Sequence, residues 1–275
     1  MYVEQKLYIK NCQIHFYTNE NTNGKALVFL HGASMDHKSF DAQMIYFSEK
    51  GYKVISIDLR GHGKSLPIPI GDRYDINIIA DDIKMVLDFL DVSKATVIGH
   101  SFGGYVAQAF AYKYPENVEG IVLLGCTDLA DVGNLFYKFL YKIMPKILKR
   151  MSLESFRKQT LAELALNEDV KEYARVAMRH ISKEDFEKII MVGMDCLYMD
   201  CGVDSSYRIK VPFLLTHGSE DKANHEIFPK SAKKWVQKEK ECEYITVENA
   251  GHTAHMDNPL GFNEILYTFL KKHNL

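Results

Sequence analysis

Short apolar runs and helical patterns alternate along most of the chain. Continuous apolar runs, such as residues 26–30 and 95–98, are typical of strands that are buried on both faces of a sheet. Segments with apolar residues every three or four positions follow these runs, as at residues 76–90, and predict amphipathic helices. The same reasoning predicts strands at 53–58, 120–124, 211–216 and 244–247 and helices at 39–50, 102–114, 226–238 and 259–272.

The first 18 residues follow another pattern, because apolar and polar positions alternate at 6–10 and at 13–18. This predicts an antiparallel hairpin at the edge of a sheet. Together, the patterns predict an α/β fold with a mostly parallel, doubly wound sheet of about eight strands and helices on both faces. In such a sheet the ligand site lies beyond the carboxyl ends of the strands.

About eighty residues separate the sixth and seventh predicted strands. A structureless loop of this length is implausible in a compact domain, and the pattern is helical at 135–144, 153–166, 170–180 and 183–198. We therefore predict a helical cap subdomain at 127–210, inserted after the sixth strand. Residues 1–126 and 211–275 would form the core domain.

The amino-acid composition of the chain limits the kinds of partner and compartment that we expect. The chain has 34 Lys and Arg against 36 Asp and Glu, a net charge of −2, which favours neither nucleic acid nor a strongly acidic partner. Residues 1–10 lack the apolar region of a signal peptide, and no apolar stretch approaches the roughly 18 residues of a membrane span. The five cysteines are odd in number and scattered, as in free thiols of a reducing compartment. We expect a cytoplasmic protein with no stable membrane association, no cofactor and no metal.

Residues 99–103, Gly-His-Ser-Phe-Gly, lie between a predicted buried strand and a predicted helix. At such a junction the G-x-S-x-G pattern predicts a sharp turn that lifts the Ser101 hydroxyl above the sheet. The two glycines let the neighbouring backbone approach without meeting a Cβ. The alternative is a plain turn with an incidental serine.

Five motifs, in the same order, make the chain resemble the α/β-hydrolase superfamily over nearly its whole length. Phe40 is one departure, because many relatives carry tryptophan there. The resemblance implies a serine esterase-like hydrolase with a helical cap. Besides residues 99–103, the motifs are His31-Gly32, which is similar to an oxyanion loop, the D-x-R-G-x-G-x-S loop at 58–65, Gly218-Ser-Glu-Asp221 and Gly251-His252.

A serine hydroxyl becomes a nucleophile when an adjacent base takes its proton, and an acid orients that base. With Ser101 as nucleophile, the family's order of serine, acid and histidine favours His252 as general base. His255 is the rival, but the glycine and strand before His252 match the family's histidine loop. For the acid, the G-x-x-D spacing favours Asp221. Asp128 is the alternative, because some superfamily members place their acid after the sixth strand.

The resemblance also implies two backbone N–H donors for an oxyanion, one from Phe102 and one from Ala33. We expect His31 to brace the loop that carries Ala33, and His100 to be a packed residue rather than a base. Asp58 is interpreted as a structural anchor for the loop that follows it.

The predicted cap would choose the substrate. Apolar side chains there are expected to line a pocket, although any one of them could instead pack the cap onto the core. Residues 137–151 interleave five basic residues with apolar ones, which favours a cap helix with a solvated face over a helix on anionic membrane. Pro145 is predicted to interrupt this helix. The expected substrate-binding residues are Phe136, Phe139, Tyr141, Met194 and Tyr198.

Taken together, these features predict a serine hydrolase that cleaves a carboxylic ester of a small, apolar substrate through an acyl-enzyme. Thioesters, amides, lactones and carbon–carbon bonds beside a ketone are alternatives on the same residues. A ligand-binding protein with very slow or no turnover is the alternative from a different functional class, since fold alone does not decide function.

Overall fold

The computed structural model describes residues 2–20, 23–71, 74–130, 135–198, 202–204, 206–221 and 227–275. Within its helices, only the backbone is described at 135–138, 140–141, 156, 163 and 197–198. The described residues form eight strands: β1 (Val3–Ile9), β2 (Cys12–Thr18), β3 (Ala26–Leu30), β4 (Lys53–Ile57), β5 (Ala95–His100), β6 (Val118–Leu124), β7 (Phe213–Gly218) and β8 (Cys242–Val247).

The short helix at Ala254–Asp257 was not predicted, but the other α-helices of the described residues each begin within a few residues of the expected start. They are α1 (Asp41–Glu49), α2 (Ile76–Phe89), α3 (Phe102–Lys113), α4 (Leu135–Arg150), α5 (Leu153–Leu164), α6 (Glu168–Met178), α7 (Lys183–Tyr198), α8 (Ile227–Lys238), α9 (Ala254–Asp257) and α10 (Pro259–Lys272).

All eight strands join one sheet in the order β1-β2-β4-β3-β5-β6-β7-β8. β1 and β2 form the predicted hairpin at the edge, with Val3 opposite Thr18 and Ile9 opposite Cys12. β2 is also antiparallel to β4, and the remaining pairs are parallel. The predicted α/β fold with a mostly parallel sheet is therefore confirmed.

The side chains of β3 divide the core into two layers. Val28 and Leu30 point to one face and pack in a cluster with α2, α3 and α8. Leu27 and Phe29 point to the other face and pack with α1 and α10. All four side chains are fully buried, as the unbroken apolar run predicted, because successive residues of a strand face opposite sides of the sheet. Both faces of the sheet are thus covered by helices.

Helices α4 to α7 occupy the chain between β6 and β7, which confirms that the helical insertion follows the sixth strand. The inserted helices pack against loops of the sheet region. Met35, just after β3, contacts α5 and α6 through Leu161 and Met178. Ile68 packs against Ile189 of α7. The division into a core domain and a cap subdomain with a boundary at 127 and 210 stays a prediction.

The expected interruption at Pro145 is wrong, because α4 continues through it to Arg150. Proline removes one intrahelical N–H donor and costs about 3 kcal/mol in a helix interior. Here α4 packs along α7 and buries Leu148, and this tertiary packing offsets the local cost. Within the described residues, we find no helix with the length and apolar character that a membrane span needs.

Candidate active site

Ser101 lies at the junction of β5 and α3 with φ 50° and ψ −114°. Residues with a side chain rarely adopt this backbone conformation, and the surrounding structure must hold it. The flanking glycines make the turn possible. A Cβ on Gly99 would lie 2.3 Å from the carbonyl oxygen of Gly103, and a Cβ on Gly103 would lie 2.1 Å from that of Leu30. The sharp turn predicted from G-x-S-x-G is present.

Three side chains form a continuous hydrogen-bonded series above the sheet. The Oγ of Ser101 lies 3.0 Å from Nε2 of His252, and Nδ1 of His252 lies 2.8 Å from Oδ2 of Asp221. Because an ionised carboxylate only accepts hydrogen bonds, Nδ1 carries the proton and Nε2 accepts from the hydroxyl. An imidazole held in this tautomer can take the proton of a serine that attacks a carbonyl group.

The loops after β7 and β8 bring Asp221 and His252 together although 31 positions separate them in the sequence. The two strands are parallel neighbours, so their carboxyl ends lie at the same edge. The backbone N–H of Glu220 donates to the carbonyl of Ala250 at 2.8 Å. A Cβ on Gly218 would lie 2.1 Å from the carbonyl oxygen of Gly251, so only glycine allows this approach.

The alternative acid, Asp128, has other partners. Its carboxylate forms an ion pair with Lys238 of α8 at 2.9 Å and accepts a hydrogen bond from the backbone N–H of Ala130. The contacts described for Asp128 do not include His252. The geometry therefore favours Asp221 as the carboxylate beside the imidazole.

The alternative base, His255, is fully buried and stacks on Phe40 with ring centroids 4.3 Å apart. Neither ring nitrogen bonds to a residue in the described part of the chain. Burial lowers the pKa of His255 to about 3, so this ring stays neutral near pH 7. Phe40 is thus the packing partner of this histidine.

The backbone N–H groups expected to hold an oxyanion lie in suitable surroundings. The loop with Gly32 and Ala33 runs beside the serine, because a Cβ on Gly32 would lie 3.5 Å from Cβ of Ser101. No described residue accepts a hydrogen bond from the N–H of Ala33 or Phe102. His31 braces this loop as expected. Its Nδ1 donates to the Gly32 carbonyl at 2.8 Å, and its Nε2 accepts from the backbone N–H of Leu59, just after β4, at 3.0 Å.

His100 lies between the histidine loop and the loop with Gly32. Its Nε2 donates to the carbonyl oxygen of His252 at 3.0 Å, and its Nδ1 would lie 2.7 Å from a Cβ on Gly32. Burial lowers the pKa of His100 well below the usual value, and neighbouring histidines lower it further. A neutral, buried ring agrees with the expected packing role.

Asp58 anchors the loop after β4, as interpreted from the sequence. Its Oδ1 accepts from the backbone N–H and the Nδ1 of His37, both at 2.8 Å, and its Oδ2 accepts from the N–H of Lys64. Burial is the largest single influence and would raise the pKa of Asp58, but His37, His31 and the N–H of Lys64 together lower it. Asp36, His37 and Asp58 could in principle hold a metal ion, but protein donors already occupy these Asp58 oxygens.

Asp257 is not among the residues predicted from the sequence. Its Oδ2 accepts from the backbone N–H of Gly251 at 2.9 Å, and its Oδ1 accepts from the N–H groups of Leu166 and Asn167, both at 3.0 Å. This carboxylate joins the loop of His252 to the turn between α5 and α6. The only sequence signal is an acidic residue shortly after the Gly-His motif.

The structure places the expected substrate-binding residues in different surroundings. Met194 is buried in α7. Its neighbour Gly193 faces the sharp turn at residues 99–103, called the elbow below, since a Cβ on Gly193 would lie 3.9 Å from the Phe102 ring. Phe139 is 60 % exposed on α4, and its contact with substrate stays a prediction. The side chains of Phe136, Tyr141 and Tyr198 lie outside the described residues.

Comparison with known proteins extends these findings. The sequence model of the alpha/beta hydrolase fold matches residues 25–259. The AB hydrolase superfamily protein YisY of Bacillus subtilis is 28% identical over 95% of this chain and 98% of its own length. A 2-hydroxy-6-oxononadienedioate/2-hydroxy-6-oxononatrienedioate hydrolase of Escherichia coli is 34% identical over 58% of this chain and 54% of its own length.

Among solved structures, an esterase from Exiguobacterium antarcticum superposes with a TM-score of 0.82. The two sequences are 22% identical, and the match covers 98% of this chain and 100% of the esterase. At this level of identity, the likeness shows a common fold.

Proposed function

This chain belongs to the α/β-hydrolase family, and from this premise we propose its activity. The proposed activity is hydrolysis of a carboxylic ester of a small, apolar substrate through an acyl-enzyme on Ser101. The observation that carries it is the hydrogen-bonded series from Ser101 Oγ through the His252 ring to Asp221, at 3.0 and 2.8 Å. Such a series combines a nucleophile, its base and the group that orients the base.

In the proposed first step, Ser101 Oγ attacks the ester carbonyl while His252 Nε2 takes the hydroxyl proton. Asp221 stabilises the imidazolium and keeps Nδ1 protonated. The N–H groups of Phe102 and Ala33 donate to the oxyanion that develops on the former carbonyl oxygen. The imidazolium then protonates the leaving alcohol, and the acyl group remains on the serine.

In the second step, His252 takes a proton from water, and the resulting hydroxide attacks the acyl-enzyme. Collapse of the second tetrahedral intermediate returns the proton to Ser101 and releases the carboxylic acid. Every proton transfer in this cycle uses groups of the chain and water. The proposed partner is a small-molecule ester or related acyl compound.

The apolar side chains around Phe102 support the preference for an apolar substrate group. The ring of Phe102 belongs to a buried apolar cluster that includes Tyr105 and, from α7, Val192 and Cys196. A substrate group that lies over Phe102 would leave water for apolar surroundings, at about 25 cal/mol per Å² of apolar area buried. A Cβ on Gly193 would lie 3.9 Å from Cδ2 of Phe102, so Gly193 lies at the border of this cluster.

Labelling with a fluorophosphonate probe, read by intact mass, tests the nucleophile. We expect one phosphonyl adduct on the native protein and on Ser93→Ala, a loop serine away from the site, but none on Ser101→Ala. His252→Ala should label at least about a hundredfold more slowly, because general-base catalysis contributes about 10²–10⁴-fold. Labelling that persists on well-folded Ser101→Ala would refute the proposed nucleophile.

Steady-state turnover then separates the alternatives. Many turnovers per molecule on p-nitrophenyl acetate and butyrate would support the esterase, whereas adduct formation without turnover would favour a binding protein. The similarity to a 2-hydroxy-6-oxononadienedioate hydrolase makes carbon–carbon bond cleavage the second candidate. Cleavage of 2-hydroxy-6-oxononadienedioate much faster than of the p-nitrophenyl esters would favour this candidate.

A further inference from the structure

Helix α4 has an unusual charge. Its 16 residues contain five basic side chains, Lys138, Lys142, Lys146, Lys149 and Arg150, and no acidic one. The whole chain carries a net charge of −2, so one helix is strongly basic on a slightly acidic molecule. A helix with this composition needs either a large anionic partner or water around its cations.

Five of the exposed side chains of α4 form one face, and the exposed Pro145 and Lys149 lie beside it. Residues at spacings of three, four, seven and eleven lie on the same side of a helix. Phe139, Lys142, Lys146, Ile147 and Arg150 have such spacings, and all five are exposed. Leu148, the buried residue of the described part of α4, lies on the opposite side, towards the rest of the molecule. We name these five exposed residues the α4 basic face.

The α4 basic face combines cations with large apolar side chains. Phe139 is 60 % exposed and Ile147 is 40 % exposed. No described acidic residue forms an ion pair with Lys142, Lys146 or Arg150. The neighbouring helix α7 carries acids, but two of them, Glu184 and Glu187, pair with lysines of α7 itself.

The sequence pattern favoured a solvated face for this helix, but Phe139 and Ile147 are exposed beside the cations, and we therefore propose that the α4 basic face binds reversibly to the surface of an anionic lipid bilayer. An anionic membrane surface favours binding by about fivefold for each nearby lysine or arginine, and apolar side chains add to this when they enter the acyl boundary. A nucleic acid would satisfy the three cations but leave Phe139 and Ile147 in water. The lipid surface is therefore the partner that suits both kinds of side chain.

The position of α4 determines which side of the molecule would face the lipid. α4 packs on α7, and α7 lies over the elbow at Gly193 and Phe102. A molecule bound through the α4 basic face thus holds the inserted helices, rather than the hairpin of β1 and β2, against the lipid. The binding itself is independent of the proposed esterase activity.

Vesicle co-sedimentation of the full chain tests the proposal. We expect binding to vesicles of phosphatidylglycerol and phosphatidylcholine at 20 mM salt, weaker binding at 150 mM salt, and little binding to phosphatidylcholine alone. The triple variant Lys142→Gln, Lys146→Gln, Arg150→Gln should bind about 100-fold more weakly, from roughly fivefold for each of the three charges removed. The matched control removes three exposed lysines elsewhere, at Lys6, Lys94 and Lys240.

A second pair of variants tests the apolar contribution. Phe139→Ser with Ile147→Ser should weaken vesicle binding by about tenfold or more, because the buried apolar area is lost. Its control, Ile70→Ser with Leu260→Ser, changes side chains that are 93 % and 71 % exposed elsewhere and should bind as the native protein does. Circular dichroism and probe labelling of Ser101 would show that each variant is folded.

Three results would each overturn the proposal. The first is no binding to anionic vesicles at 20 mM salt. The second is an equal loss of binding in the lysine control, which would mean attraction by total charge rather than by this face. The third is binding to duplex DNA at least as tight as to vesicles and unchanged by Phe139→Ser with Ile147→Ser, which would assign the face to nucleic acid.

Discussion

The carboxylate of Asp257 accepts a hydrogen bond at 2.9 Å from the backbone N–H of Gly251, the residue before His252. The same carboxylate accepts two bonds from the turn between α5 and α6. One side chain therefore holds the histidine loop and ties the inserted helices to it. Its influence on the proposed reaction is indirect, through the position of the imidazole.

Replacing Asp257 by Asn should lower kcat on p-nitrophenyl acetate about tenfold, because the amide nitrogen cannot accept and a charge-assisted bond contributes about 1.5–3 kcal/mol. KM should change less, since no contact with substrate is removed. Tyr173→Phe is the control, as it breaks a bond between α6 and Asp36 without touching the histidine loop. A variant with lower melting temperature but native kcat would reduce Asp257 to a structural role.

The assignment of the acid predicts a large contrast between two conservative variants. Asp221→Asn should lower kcat by about 10⁴-fold, because the amide favours the wrong imidazole tautomer. Asp128→Asn should change kcat by less than about threefold, since it breaks only an ion pair with Lys238, worth about 1 kcal/mol or less. Rates on p-nitrophenyl acetate at one pH decide this, and the reverse ranking would exchange the two assignments.

Substitution of Gly193 by a large residue is predicted to change the preference between short and long acyl esters. Gly193→Ala should stabilise α7 by about 0.5–1 kcal/mol and leave turnover of the acetate ester native, since the new Cβ meets Phe102 at an ordinary distance of 3.9 Å. Gly193→Leu should lower kcat/KM for the octanoate ester at least about tenfold more than for the acetate. Glu184→Leu, on the exposed side of α7, is the matched control. Equal losses on both esters would place Gly193 away from the acyl group.

The buried histidines predict loss of stability in acid. Burial is the main cause that lowers the pKa of His62 and of His255 to about 3. In the unfolded chain a histidine has a pKa of about 6.5. The unfolded state therefore binds more protons between these values, so stability is full above pH 6.5 and falls as the pH drops towards 3. Each ring contributes a slope of about 1.4 kcal/mol per pH unit.

His255→Phe isolates one of these two contributions. The ring stacks on Phe40, and its nitrogens bond to no described residue, so phenylalanine should fit with little change in unfolding free energy at pH 8. Urea unfolding at pH 8, 6, 5 and 4 should give a slope below pH 6.5 that is smaller by about 1.4 kcal/mol per pH unit. A variant with the native slope would show that His255 becomes protonated without unfolding.

Several features of the fold could be predicted because they depend on neighbouring residues. The apolar run of β3 and the period of α2 each reflect burial of one segment, and the turn at Ser101 needs glycines at 99 and 103. Pro145 was predicted wrongly for the opposite reason. Whether a helix continues through a proline depends on how α4 packs against α7, and no local pattern contains that information.

By itself, the sequence determined the order of strands and helices, the α/β class and the position of Ser101 at the β5–α3 junction, because each follows from local periodicity or local steric demand. It left two carboxylates after adjacent parallel strands, Asp128 after β6 and Asp221 after β7. Only the tertiary structure separated them, because α8 brings Lys238 to Asp128 while the loop after β8 brings His252 to Asp221. Such pairings depend on distances across the folded chain, which spacing along the sequence does not encode.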